Sequence, residues 1–214
     1  MHLVFLGPPA SGKGTLSQLL AEKFELIPVS TGVMLRQHLA EETELGLKAS
    51  KYLSSSRLVP DEIVNGMLSD WFDQNQESNW ILDGFPRTLS QARWLTDELA
   101  KRSITLDAAV SLEVSYDELL RRIGRRVQCD QCGLTTALDL VENGLHCPEC
   151  DGTLRPRIDD AEERFKKRYQ DFTDETVPVI EYYAERGDLT KVVAEGNPTE
   201  VCAMVERSLS AESQ

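Results

Sequence analysis

Long apolar runs are missing from this sequence. The longest early one is the four residues Leu3 to Leu6, with no basic segment before it, which is too short for a secretion signal or a membrane span. A cytoplasmic protein with no membrane partner is expected. Internal repeats and low-complexity tracts are also missing, and only Ser210 to Gln214 reads as a loose tail. Positive charge is in short supply: 23 Lys and Arg stand against 36 Asp and Glu, and the net charge of −13 disfavours holding a nucleic-acid backbone over a wide surface. Histidine is scarce as well. His2, His38 and His146 all fall outside the motifs described below, so each reads as structural or solvated. What remains is a soluble globular chain of 214 residues, 41% apolar, long enough to bury a core in one or two domains.

The charge is unevenly spread. Residues 121 to 168 carry +1, while the rest of the chain carries −14. Fifteen of the 23 basic residues are Arg, whose planar fork of donors suits phosphate. Short strand patterns at 3–6, 27–29, 80–82, 108–112 and 189–193 alternate with helical stretches near 61–75, 88–100, 115–126, 161–185 and 198–210. That rhythm argues for an α/β fold with an open parallel sheet. Two segments interrupt it. Residues 30 to 59 show two short helical patterns with no strand between them, and residues 127 to 156 hold four of the five cysteines and the turn dipeptide Asn143-Gly144.

Gly7-x-x-x-x-Gly12-Lys13 lies between a strand pattern and a helix pattern, the setting in which such a loop cradles phosphate. Its glycines let several N–H groups point inward, the helix N-terminus adds partial positive charge, and Lys13 reaches the outer phosphates. Thr15 is placed to bear on Mg²⁺, although Gly14 intervenes where the strict pattern has the hydroxyl directly after the lysine. Asp83 ends the apolar strand pattern Trp80 to Leu82, at the ligand-binding edge of such a sheet, where a carboxylate can hold Mg²⁺ through its water shell.

Cys129-x-x-Cys132 and Cys147-x-x-Cys150, fourteen residues apart, have the spacing of a tetrathiolate zinc site, closed to catalysis and therefore structural. Two disulfides are the disfavoured alternative in a reducing compartment, and iron in place of zinc stays open. Cys202 reads as a packed core thiol.

GPPASGKGT, the segment Ser30 to Arg36, and Asp83-Gly84-Phe85-Pro86-Arg87 followed by Gln91 resemble the nucleoside monophosphate kinases, most closely the bacterial long-form adenylate kinases. Arg157-Ile158-Asp159-Asp160 with Arg168 is similar to that family's later pattern. The resemblance runs to about residue 200. It implies a P-loop NTPase-type parallel five-stranded sheet flanked by helices, one kinase unit over 1–214. Its core would be 1–29, 60–125 and 161–214, with a monophosphate-binding insertion at 30–59 and a zinc-bound lid at 126–160. It also implies transfer from ATP, with Mg²⁺, to AMP, an acceptor that is already ionised and needs no general base. Lys13, Asp83, Arg87, Arg126, Arg157 and Arg168 then carry the chemistry. Ala10, Ser11, Gly12, Lys13, Gly14, Thr15, Arg122, Arg126, Thr135, Thr136 and Asn197 bind ATP. Thr31, Arg36, Arg57, Val59, Gly84, Arg87, Gln91, Arg157 and Arg168 bind AMP, and Leu35, Leu53, Val59 and Val64 wall the base.

Arg122 and Arg126 match the family's Arg-x-x-x-Arg, a spacing that would put both on one helical face, but Arg121 and Arg125 have the same spacing. Ala10, Leu16 and Val33 depart from the family's usual Gly, Gln and Asp, and Ala10 is expected to need a negative φ. Asp159 and Asp160 are expected to orient the arginines or latch a hinge. Two rivals remain: a kinase preferring UMP or CMP, and a zinc-ribbon binding module, against which the acidic charge speaks. A monomer is expected.

Overall fold

A computed structural model describes residues 1–54, 58–141, 144–150, 152–157 and 160–212. Strand β1 (His2–Leu6) pairs in parallel with β3 (Trp80–Asp83) on one side and β4 (Ala108–Glu113) on the other. Strand β2 (Ile27–Ser30) extends the sheet beyond β3, and β8 (Leu189–Val193) extends it beyond β4, giving the parallel order β2-β3-β1-β4-β8. The expected five-stranded parallel sheet is therefore present.

Both faces of β1 are covered, which is why its apolar run does not alternate with polar residues. Leu3 and Phe5 pack with Leu16 and Leu20 of α1 (Lys13–Phe24) and with Val201 and Val205 of α9 (Pro198–Glu212). Val4 and Leu6, pointing the other way, join Leu68 and Phe72 of α4 (Asp61–Gln74), Leu95 and Leu99 of α5 (Leu89–Lys101), and Val179 and Tyr183 of α8 (Val177–Arg186). Between β2 and α4 lie α2 (Thr31–Ala40) and α3 (Glu44–Ser54), the two helices expected within 30–59. Between β4 and α8 come α6 (Tyr116–Ile123), then β5 (Arg126–Cys129), β6 (Thr135–Ala137) and β7 (Leu154–Pro156), and α7 (Glu162–Asp171). The three short strands form a separate antiparallel sheet in the order β6-β5-β7. Among the described residues no helix is long and apolar enough to cross a membrane.

Three local expectations need correction. Helix α6 stops at Ile123 with Gly124 as its C-cap, and Arg126 opens β5, so Arg122 and Arg126 do not share a helical face. A helix-disfavouring glycine outweighs the i,i+4 pattern there. The helical stretch expected over 161–185 is broken by a π-turn, Phe172–Thr176, in which the Val177 N–H bonds the carbonyl of Phe172. Pro178 at the start of α8 explains the break, because proline gives no N–H to an α-helical ladder and its ring crowds the carbonyl four residues back. Asn143, half of the expected hairpin dipeptide, lies outside the described residues, although Gly144 does have a positive φ of 70°.

The third correction concerns Ala10, which has φ 67° and not the negative value expected of it. That is the small left-handed region open to L-residues at a cost of about 1–2 kcal/mol. Gly7 is less replaceable: its φ is 143°, and a Cβ there would lie 3.0 Å from both the Leu112 carbonyl oxygen and Ser11 Oγ. Two substitutions should therefore move stability in opposite directions. Gly7→Ala is expected to cost about 1–3 kcal/mol, whereas Ala10→Gly should leave stability unchanged or raise it by up to about 1 kcal/mol. Urea unfolding of the two variants checks the pair, and a destabilised Ala10→Gly would contradict it.

Candidate active site

The loop from Gly7 to Gly12 leaves the C-terminal end of β1, the central strand of the sheet, where the chain order switches sides and a crevice opens. Gly12 precedes α1 in a left-handed conformation and offers no side-chain cap, so the first N–H groups of α1 face the crevice unpaired by any capping side chain. Lys13 folds back over the loop. Its Nζ donates to the carbonyls of Gly7 and Pro8, each at 2.8 Å, and to Ser11 Oγ at 3.2 Å. Burial of this ammonium draws its pKa down, Asp83 pushes it back up, and Arg87, Arg168 and Arg126 lower it again, leaving about 8. One lysine thus feels a carboxylate and three guanidiniums from three separate parts of the chain.

Asp83 is placed by register. It ends β3 opposite Phe5 of β1 and Ser30 of β2, and its Oδ2 would lie 3.6 Å from a Cβ built on Gly14. Its carboxylate therefore adjoins the start of α1.

The backbone of Arg87 is held at both ends: its N–H donates to Gln91 Oε1 at 2.7 Å, and its carbonyl accepts from Thr176 Oγ1 at 2.9 Å. Its Nε donates to the Gly84 carbonyl at 2.8 Å, which also accepts from Thr31 Oγ1 at 3.0 Å. Gln91 is anchored by Asp61, whose Oδ1 accepts from Nε2 at 2.8 Å. Arg126 forms a two-pronged ion pair with the buried carboxylate of Asp160, and Arg168 Nη1 lies 3.5 Å from the same group. Arg122 donates to Ser11 O at 3.0 Å and Ala194 O at 2.6 Å, tying the phosphate loop to the end of β8. Arg121 is largely exposed and pairs with Glu118, so of the two candidates Arg122 is the one brought to the loop.

Lys13, Asp83, Arg87, Gln91, Arg122, Arg126 and Arg168 border one open cavity of about 2690 Å³. Nine arginines and two lysines line it against seven carboxylates, a net +4 in a chain of −13. Nearly every residue expected to touch nucleotide lies on its wall: Ala10 to Thr15, Arg122, Arg126, Thr135 and Thr136, and Thr31, Arg36, Val59, Gly84, Arg87, Gln91, Arg157 and Arg168. The apolar wall of Leu35, Leu53, Val59 and Val64 is there too. Asn197 does not line the cavity. Its Oδ1 accepts the Thr199 N–H and caps α9. Arg57 and Asp159 lie outside the described residues. No histidine lines the cavity among the described residues.

Sequence reasoning missed Thr176 and Asp61, which hold Arg87 and Gln91 from behind. A Thr inside a charged helical stretch and an Asp at a helix start look like ordinary residues until the fold brings them to their partners. Sequence reasoning also passed over Arg155 and Arg164, which the fold adds to the cavity wall.

The four cysteines sit at one end of the small sheet, and their sulfur atoms all lie within 4.8 Å of one another. Cys129 and Cys150 are 3.5 Å apart and Cys132 and Cys147 3.6 Å, too long for disulfides. Four thiolates about 2.3 Å from a tetrahedral ion would be separated by roughly 3.8 Å, so this set fits a structural metal. The Gln131 N–H donates to Cys129 Sγ at 3.4 Å, and a Cβ on Gly152 would come within 2.7 Å of the same sulfur, so the backbone wraps this sulfur closely. His146 is not part of the cluster.

A glycine-lined loop at the central strand, a half-buried lysine over it, and a cation-rich cleft wide enough for two nucleotides define a P-loop phosphotransferase. Comparison with known proteins narrows the class. The adenylate kinase family model matches residues 5–188. Similar proteins include an adenylate kinase of Archaeoglobus fulgidus, 40% identical over 90% of both chains, and one of Thermodesulfovibrio yellowstonii, 38% identical over 97% of this chain and all of the relative. An adenylate kinase of Alkaliphilus oremlandii is 36% identical over 99% of this chain. The chain belongs to the adenylate kinase family.

Proposed function

We propose that the protein catalyses the reversible, Mg²⁺-dependent transfer of the terminal phosphoryl group of ATP to AMP, yielding two ADP. One observation carries the reading: in an acidic protein, Lys13 shares its electrostatic surroundings with Arg87, Arg126 and Arg168 on the wall of a single cleft. Two anionic substrates can meet only where their repulsion is cancelled, and preorganised cations aimed at the transferring group do this without reorganising water.

In this reading the loop N–H groups and Lys13 hold the donor phosphates, with Arg122 beside the donor base. Arg36, Arg87 and Arg157 hold the acceptor phosphate, and Arg126 and Arg168 close on the group in transit. Thr31, Gln91, Val59 and the apolar residues near them receive the acceptor base. Mg²⁺ brought with ATP would supply charge neutralisation, and Asp83 and Thr15 would hold it. Residues 30–59 serve as the acceptor-binding insertion and 126–160 as a lid whose thiols hold zinc, with 1–29, 60–125 and 161–214 as the core. Lid closure over the cleft excludes water and prevents hydrolysis of ATP. The protein works as a cytoplasmic monomer.

A coupled assay over AMP, UMP, CMP and GMP tests the reading. ADP production dependent on AMP, at a kcat/KM well above the other acceptors, is expected. No turnover with AMP refutes the reading, and faster turnover with UMP or CMP overturns the acceptor assignment.

Lys13 adds a prediction about protons. Its pKa of about 8 lies below the ordinary 10.5, so the unfolded chain binds more protons between those values. This group therefore adds stability as pH rises through that window. Phosphate bound against the ammonium favours the charged form and reverses the shift. Nucleotide binding at pH 8 to 9 should take up part of a proton, seen by calorimetry as a dependence of the heat on buffer ionisation enthalpy. Heat independent of buffer, or proton release, would contradict this.

A further inference from the structure

We propose that the four lid thiols form an oxidant-sensitive site whose disulfides follow one defined pairing, Cys129 with Cys150 and Cys132 with Cys147. The inference rests on the reading of these cysteines as a metal site and goes beyond it. The two CxxC knuckles are built alike, with the first cysteine of each buried and the second an exposed residue: Cys129 and Cys147 are buried, Cys132 and Cys150 exposed. Two thiol pairs of hydrogen-bond geometry run between knuckles. Each exposed sulfur faces the buried sulfur of the opposite knuckle, Cys150 to Cys129 at 3.5 Å and Cys132 to Cys147 at 3.6 Å.

This arrangement separates the two roles that disulfide formation needs. A hydroperoxide in solvent meets Cys132 or Cys150 first. The thiolate attacks the peroxide oxygen, the O–O bond breaks, and the sulfur becomes a sulfenic acid while the oxidant leaves as an alcohol or water. The buried partner then attacks that sulfur, forming the S–S bond and expelling hydroxide, which takes a proton to become water. Each disulfide consumes one hydroperoxide and two protons and loses two electrons from sulfur. The sulfur atoms must close from about 3.5 Å to about 2.05 Å, a movement within reach of side-chain rotation. Loss of the first pair of thiolates would leave two of the four cysteines to hold a divalent ion, which would then be released.

The pairing has a structural consequence that the alternatives lack. Bonds inside each knuckle, 129 with 132 and 147 with 150, would leave the strand β5 side and the β7 side of the lid unlinked. The cross-knuckle bonds join the same two segments that the metal joins. The oxidised lid therefore keeps its fold covalently after the metal has gone, and reduction restores the original site.

The test uses the full chain as purified, with its metal content measured beforehand. Hydrogen peroxide is added in small excess, released metal is followed with a chromophoric chelator, and the disulfides are mapped by non-reducing digestion and mass spectrometry. The expected result is two links, Cys129–Cys150 and Cys132–Cys147, with one metal ion released per chain, the buried Cys202 still reduced, and full reversal by a phosphine reductant. Links within the knuckles, a Cys132–Cys150 link, or sulfinic acids at the exposed positions beside free buried thiols would overturn the proposal. A chain that arrives without metal fails the metal reading alone, and the link map still decides the pairing.

Discussion

Replacing Arg87 by Ala is expected to lower kcat by about 10²–10³-fold, the scale of losing one preorganised donor to a developing charge, with thermal stability nearly unchanged. The two effects separate because side chain and backbone have different duties. The backbone of Arg87 is clamped by Gln91 Oε1 and Thr176 Oγ1, and truncation beyond Cβ leaves both bonds in place. The guanidinium reaches the cavity, where its field is felt at Lys13. Lysine is a poor substitute, since a point charge cannot reproduce the planar fork. Arg87→Lys should therefore recover only a small part of the loss. Steady-state kinetics with thermal unfolding of the same samples checks this, and a variant with full activity would remove Arg87 from the chemistry.

The second large effect is on the lid. Among the described residues its buried apolar cluster consists of Val127, Cys129, Cys147 and Leu154, so two of the four core side chains belong to the four-thiol cluster. A core that small does not hold a fold without a cross-link. A structural metal at four thiolates contributes on the order of ~10 kcal/mol, more than the apolar residues there can supply. Stripping the metal under reducing conditions, or the double change Cys129→Ser with Cys147→Ser, should unfold the segment around β5 to β7 while the five-stranded sheet stays intact. Amide hydrogen exchange resolves the two regions. Protection should vanish over 127–156 and persist in β1, β3 and β4, with turnover falling steeply because the cleft no longer closes. Unchanged protection in the small sheet would show that the thiols are not its support.

What could be read without coordinates was local, or repeated in a recognisable spacing. The apolar run of β1, the glycine loop and its lysine, Asp83 at a strand end, and the two CxxC pairs each carry their meaning within a few residues, and the fold places each as read. Where helices end was legible only in part. The expected helices 115–126 and 161–185 ran through the breakers Gly124 and Pro178, and a β-strand starting at Arg126 and a π-turn at Phe172 depend on what packs against them. The choice between Arg121 and Arg122 could not be made from spacing, because a shift of one residue preserves the pattern. It is decided by which guanidinium reaches the Ser11 and Ala194 carbonyls. The supporting residues Thr176 and Asp61 were illegible for a similar reason: a hydroxyl or carboxylate that bonds across 89 or 30 positions leaves no local mark.

Ala10 shows the reverse case. Its departure from glycine was visible and its conformation was misjudged, because the left-handed region tolerates alanine at a cost that the loop absorbs.

In the proposed reaction, positive charge from distant segments meets at one point between two nucleotides. A crystal structure of the protein with AMP and a non-hydrolysable ATP analogue in the presence of Mg²⁺ tests this most directly. Lys13 Nζ and the guanidiniums of Arg36, Arg87, Arg126, Arg157 and Arg168 are expected within hydrogen-bond distance of phosphate oxygens, with the two nucleotides aligned end to end in the cleft. Phosphates bound elsewhere, or those side chains turned to solvent while both nucleotides are bound, would contradict it.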